Sequence, residues 1–227
     1  MAIVAGLLVA HAIVPGGPRP ALVPPVQAAT RASSPSPATP PPKPGTRAFA
    51  RVRGLVLFVP TRHAVLIGYH EASYPEALAM TPLGRCAHDY NRTKFHRPRR
   101  TPGPAYLVMS SRGRPTRATS AVDVAMRTGT PVLSPVTGHV SKVRRYRLYG
   151  AYRDFELTLV EDGQPNFIVL LIHIANVRVT VGQPLAAGVT RLGTVRDLPF
   201  ESQVNDYVGV HIQHVHIEVK RVGGTGR

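Results

Sequence analysis

Residues 214–219 read His214-Val215-His216-Ile217-Glu218-Val219, a regular alternation of polar and apolar side chains. A period of two marks a β-strand with one face in a core and the other outside it. On such a strand His214, His216 and Glu218 share one face, and Val215, Ile217 and Val219 share the other. Working outward, the same texture recurs. Gly54–Val59, Ala64–Tyr69, Ala105–Ser110, Ala121–Met126, Pro131–Ser134, Gly138–Arg144, Phe155–Val160, Asn166–Ile174, Gln183–Gly188 and His214–Lys220 are short runs rich in Val, Ile, Leu and Tyr. Each is bounded by turn residues, as strands are. Only Tyr74–Met80 reads as a short helix. The pattern predicts an all-β, β-dominated domain.

The chain has 227 residues, enough for a sizeable buried core, and 43% of them are hydrophobic, which excludes a wholly disordered chain. Its single cysteine excludes an intramolecular disulfide framework and any multi-cysteine metal site. The formal charge of +16 predicts polyanionic neighbours without choosing among nucleic acid, anionic lipid and cell-wall polymer.

Four segments are expected. Residues 1–28 begin with an apolar stretch of signal-peptide length. Val26-Gln27-Ala28 has the small-x-small pattern of a cleavage site, although no Lys or Arg precedes the apolar run. Residues 29–47 read as a proline-rich, disordered linker, since proline supports neither helix nor ladder. Residues 48–115 form a β-rich extension, and residues 116–222 the domain that carries the motifs. Asn91-Arg92-Thr93 fits a glycosylation acceptor pattern, and Arg112-Gly113-Arg114-Pro115-Thr116-Arg117 is a basic turn.

Three strands carry polar residues where chemistry could sit. In the first, His214 and His216 at i, i+2 could both reach one metal, or one could ligate while the other handles a proton. In Ala121-Val122-Asp123-Val124-Ala125 the carboxylate needs a counter-charge, either a cation or one of the many arginines. Phe167-Ile168-Val169-Leu170-Leu171-Ile172-His173-Ile174 is apolar on both faces, so it reads as a central strand. His173 at its end faces either a cleft or the core.

In combination these segments carry a family resemblance. Asp123, Gly129-Thr130-Pro131-Val132, Gly138-His139-Val140, His173 and His214-Val215-His216-Ile217-Glu218 occur in the order and spacing of the lysostaphin/LytM-type zinc metallopeptidases. Val177–Gly193 resembles that family's glycine-bounded hairpin. The resemblance spans roughly residues 104–220. It implies an antiparallel β-sandwich of the LytM/lysostaphin type with a groove over one sheet. It also implies a zinc held by Asp123, His216 and a histidine at position 119, with His173 and His214 as catalytic residues. The implied activity is zinc-dependent amide hydrolysis of peptidoglycan peptides.

The sequence departs from that pattern at position 119, where Thr119 stands. Threonine is not a usual zinc ligand. Its strand parity with Asp123 turns it toward the site, and His70 or His211 are the candidate substitutes. The glycine-rich segment expected before the H-x-H motif is also absent; Gly193–Gln213 stands there instead.

Two functions follow from the resemblance. One is an exported peptidoglycan metalloendopeptidase, extracellular or in the cell envelope. The other is a catalytically inactive LytM-like domain that binds cell wall or regulates a partner wall hydrolase. Its partner in either case is peptidoglycan or another anionic cell-envelope polymer. A nucleic-acid-binding role rests on charge alone and ranks last.

Overall fold

A computed structural model describes residues 43–223. The expected export signal, most of the expected proline-rich linker and the last four residues lie outside the described residues. The strands are β1 (Ala48–Val52), β2 (Leu55–Phe58), β3 (Leu66–His70), β4 (Thr81–Pro82), β5 (Cys86–Asp89), β6 (Tyr106–Val108), β7 (Ala121–Met126) and β8 (Pro131–Leu133). They continue with β9 (Gly138–Leu148), β10 (Tyr152–Glu161), β11 (Phe167–Ile172), β12 (Ile174–Ala175), β13 (Pro184–Leu185), β14 (Arg191–Val195) and β15 (Gln213–Arg221). One short helix, α1 (Gln203–Val208), precedes β15.

Nine strands make one sheet in the order β13-β9-β10-β11-β15-β7-β3-β6-β5, flanked by the three-stranded sheets β2-β1-β4 and β12-β14-β8. Pairing is antiparallel except where β6 joins β3 and β5. β3, β6 and β5 belong to the N-terminal extension, so the extension continues the sheet that carries the motifs. The apolar face of β7 and β15 (Val122, Val124, Val215, Ile217, Val219) packs with Leu157, Val169 and Leu171. Phe49, Leu55 and Leu57 of one small sheet, and Val132, Leu192 and Val195 of the other, close the same core. The hydrophobic term for each such side chain is about 1.5–3 kcal/mol. The opposite face of the large sheet carries the polar residues of β7 and β15 and a second apolar cluster of Leu107, Met109, Ala125, Val204 and Ile212.

Gly138 shows why the G-x-V motif begins with glycine. A Cβ there would lie 1.9 Å from the backbone oxygen of Val160, where β9 and β10 approach each other.

One expectation is corrected. Tyr74–Met80 is an irregular turn, not a helix; Pro75 removes a donor and leaves one local bond, Ala77 N–H to the Tyr74 oxygen. The helix lies instead at Gln203–Val208, started by a Ser202–Asn205 capping box and ended by left-handed Gly209. Val177–Gly193 closes through a bond from Arg178 N–H to the Leu192 oxygen, and its strands also pair outward, β13 with β9 and β14 with β12 and β8.

Candidate metal centre

β7 sits between β3 and β15, and this places the polar groups. Asp123 lies directly opposite His216 on one side and Gly68 on the other, while His70 lies opposite Ala121. His70 is two residues beyond Gly68 and therefore shares its face. The small Ala121 side chain lets the imidazole lean toward Asp123.

The result is a cluster of three candidate ligands, two imidazoles and a carboxylate. His70 Nε2 is 3.0 Å from Asp123 Oδ1, and His216 Nδ1 is 2.8 Å from the same oxygen. One ligand atom from each of His70, Asp123 and His216 falls within 4.8 Å of the others. Ligand atoms around one tetrahedral zinc stand about 3.3 Å apart, given bond lengths of about 2.0–2.1 Å.

The hydrogen bonding tests the fit. His70 Nδ1 faces the backbone oxygen of Glu71 at 2.8 Å, and a carbonyl only accepts, so Nδ1 carries the proton. Nε2 then presents a lone pair. It is buried without a hydrogen-bond partner, next to a carboxylate oxygen that is also an acceptor. Burial lowers the pKa of His70 against the pull of Asp123, so a proton does not readily fill the gap. A cation does.

His216 has carboxylates at both nitrogens: Asp123 at Nδ1 and Glu218 Oε1 at Nε2, 3.1 Å away. Burial opposes its charge, but these two hydrogen bonds prevail and raise its pKa to about 9. A metal can replace the Nδ1 proton while Nε2–H stays on Glu218, the outer-shell arrangement usual for ligating histidines. Asp123 resists burial and is held well below the usual carboxylate range by His70, His214 and His216. The residues present therefore fit a zinc ion.

Two further histidines stand beside this cluster. The His214 ring lies edge-on to His173, with centroids 4.9 Å apart, and its Nε2 is 3.8 Å from Asp123 Oδ1. Burial, against the attraction of Asp123, lowers the pKa of His214 to about 3, so it is neutral. Its Nδ1 is 3.4 Å from Ser202 Oγ. His173 Nδ1 is 2.8 Å from Asp154 Oδ2. His173, His214 and His216 all line one cleft of about 660 Å³.

Thus Asp123, His216, His173 and His214 converge, as does His70. Thr119 and His211 do not join them. Thr119 stands in the turn before β7, outside the strand whose parity was to aim it, and its backbone oxygen accepts from Met80 N–H. His211 is paired with Glu201 at 2.9 Å. Asn91, the acceptor of the glycosylation pattern, is 2% exposed and donates to Glu71.

Alternation along the strands gave no route to several other site residues. Arg112 Nη2 donates to Asp123 Oδ2 at 3.1 Å, and Arg112 Nε donates to Gln203 Oε1. Glu71 is fully buried and accepts from Ser111 Oγ and from the backbone N–H groups of Arg112 and Arg114, with Lys94 Nζ at 2.7 Å. Burial works against its charge, but these donors bring its pKa down to about 2. The only early signal was the adjacency of a carboxylate to His70.

No family model matches the chain, and no curated protein matches it. Among solved structures it is similar to lysostaphin (20% identity, 47% of this chain and 38% of that one, TM-score 0.35). It is also similar to LytU (22%, 47% and 63%, TM-score 0.36) and to a zinc-containing peptidase from Vibrio cholerae (21%, 44% and 26%, TM-score 0.32). The chain thus spans less than two thirds of the length of each of these structures.

Proposed function

We propose that the protein is a zinc-dependent peptidase of the cell envelope that hydrolyses amide bonds in peptidoglycan peptides. The observation that carries this reading is the meeting of His70, Asp123 and His216 around a buried lone pair that lacks a hydrogen. Position 119 is not needed, because His70 reaches the same carboxylate from the neighbouring strand. A zinc bound there supplies Lewis acidity and a nucleophile at neutral pH.

The chain's own residues do the rest. Glu218 and the Glu71 carbonyl hold the ring orientations of His216 and His70. His173 and His214 face the cleft beside the cluster, placed to move a proton and to donate to the developing oxyanion. Arg112, Arg114, Arg144 and Arg147 line the same cleft and suit the carboxylates of an anionic wall peptide. The basic chain as a whole favours an anionic envelope. Among the described residues, no helix is long and apolar enough to cross a membrane.

A second reading has its own observation. Arg112 and the His216 imidazolium can neutralise Asp123 without metal, which suits a wall-binding domain with no activity. Zinc content decides. The peptidase reading expects about one zinc per chain after dialysis against trace zinc, with hydrolysis of wall peptides that a chelator abolishes. Metal-free protein that still binds wall fragments would establish the second reading.

A further inference from the structure

Asp154 stands in Tyr152–Glu161 with nothing in the local pattern to single it out. Its side chain is 2% exposed, and four hydrogen bonds converge on it. Oδ2 accepts from Tyr146 OH at 2.9 Å, from the His173 backbone N–H at 3.3 Å and from His173 Nδ1 at 2.8 Å. Oδ1 accepts from Phe155 N–H at 2.8 Å, and Arg196 Nη1 lies 3.7 Å from it. The ionised form is favoured: burial raises the pKa, but the bonds from His173 and Tyr146 bring it below the ordinary range.

The same carboxylate holds both the backbone and the ring of His173. That residue has a φ of 68°, the left-handed region, which is sterically disfavoured for a non-glycine residue. The bond from its N–H to Asp154, and one from Arg196 N–H to its oxygen, keep it there. The left-handed residue separates β11 from β12 at the cleft. Since a carboxylate only accepts, Nδ1 carries the proton and Nε2 is the face presented to the cleft. The His173 centroid is 4.9 Å from that of His214 and 6.4 Å from that of His216, so the ring flanks the ligand cluster.

We propose that Asp154 is the positioning residue for His173: it fixes the ring with Nε2 toward the cleft and offsets the charge the ring gains when it takes up a proton during hydrolysis. The second half of this role rests on the peptidase reading; the first does not. A carboxylate behind an imidazole acts in this way without itself becoming protonated. His214 has only the Ser202 hydroxyl behind it, which offsets no charge.

Nitrogen-15 NMR of the zinc-loaded full chain tests the assignment. His173 is expected to be protonated at Nδ1, with Nε2 bare in the neutral ring. Asp154→Asn offers an amide that can donate to Nδ1, so the ring is expected to switch to the Nε2–H tautomer. With a wall-peptide substrate, kcat should fall about 10²–10⁴-fold, KM should stay within about twofold, and zinc content should not change. A wild-type ring protonated only at Nε2 overturns the proposal. So does an Asp154→Asn variant that keeps both tautomer and kcat, or one that changes KM alone. The wild-type spectrum needs neither variant nor substrate. An Nδ1-protonated ring in a protein without hydrolysis would sink the peptidase reading and leave the positioning of His173 standing.

Discussion

The two sides of Asp123 are built differently. On the β15 side, His214, His216 and Glu218 come from one strand, and their common face follows from alternation alone. On the β3 side, His70 comes from the N-terminal extension and is held by a buried network around Glu71 that draws on Lys94, Ser111, Arg112 and Arg114. The first side is local and legible in six residues. The second joins segments up to 43 positions apart, and exists only because β3 pairs with β7. His70 thus meets Asp123 and His216 because β3 is the immediate neighbour of β7.

Changes on either side of Asp123 can break or sharpen this contrast. The largest effect is expected from His70→Ala. If the extension supplies a true ligand, zinc affinity should fall by more than the roughly 10–100-fold that outer-shell changes produce. Competition with a chelator of known affinity measures this, and affinity equal to wild type would remove His70 from the site. Next is Glu71→Ala, which strands several buried donors. Chemical denaturation should show a stability loss of about 3 kcal/mol, since each orphaned donor costs about 1–3 kcal/mol and the loop can relax in part. On the opposite side, Glu218→Gln should weaken zinc by about 10–100-fold with little loss of stability. Equal stability losses for Glu71→Ala and Glu218→Gln would erase the distinction between a networked and a local side.

Smaller effects test the surroundings. The folded-state pKa of Asp154 is depressed, so its contribution to stability is fully present above the unfolded value of about 3.9 and is lost as pH falls through the folded one. Melting curves of wild type and Asp154→Asn should therefore differ most near neutrality and converge in acid. A gap that widened as pH fell would contradict the depressed pKa. The smallest effect is expected from Thr119→His. Because position 119 lies in the turn before β7 and His70 already faces Asp123, zinc affinity measured by chelator competition should not change. A large gain would mean that the turn moves to restore the ligand arrangement implied by the resemblance.

The strand content was readable because the runs alternate, or are apolar throughout, between turn residues; Ala121–Met126 is found with the expected bounds. The helix was missed because its six residues carry too little periodicity, and their signal lies in the Ser202–Asn205 cap. β1 was missed because a bulge between Ala48 and Ala50 interrupts its alternation, and β14 because it is short and pairs with β12 and β8, which lie far from it in sequence. Asp123, His173, His214 and His216 were legible as polar breaks in apolar strands. Arg112 and Asp154 were not, because a charged residue on a loop or within a polar strand resembles any solvated one.

Sequence by itself determined that His214, His216 and Glu218 share one face, that Asp123 interrupts an apolar strand and that Thr119 cannot serve as a usual zinc ligand. Each follows from side-chain chemistry and the period of two. Tertiary structure decided that His70 rather than His211 completes the cluster, that Arg112 reaches Asp123 and that Asp154 stands behind His173. Those contacts depend on which strands pair and in which register, and pairing is selected by burial of the common apolar face over the whole sheet. No local window of sequence contains that information.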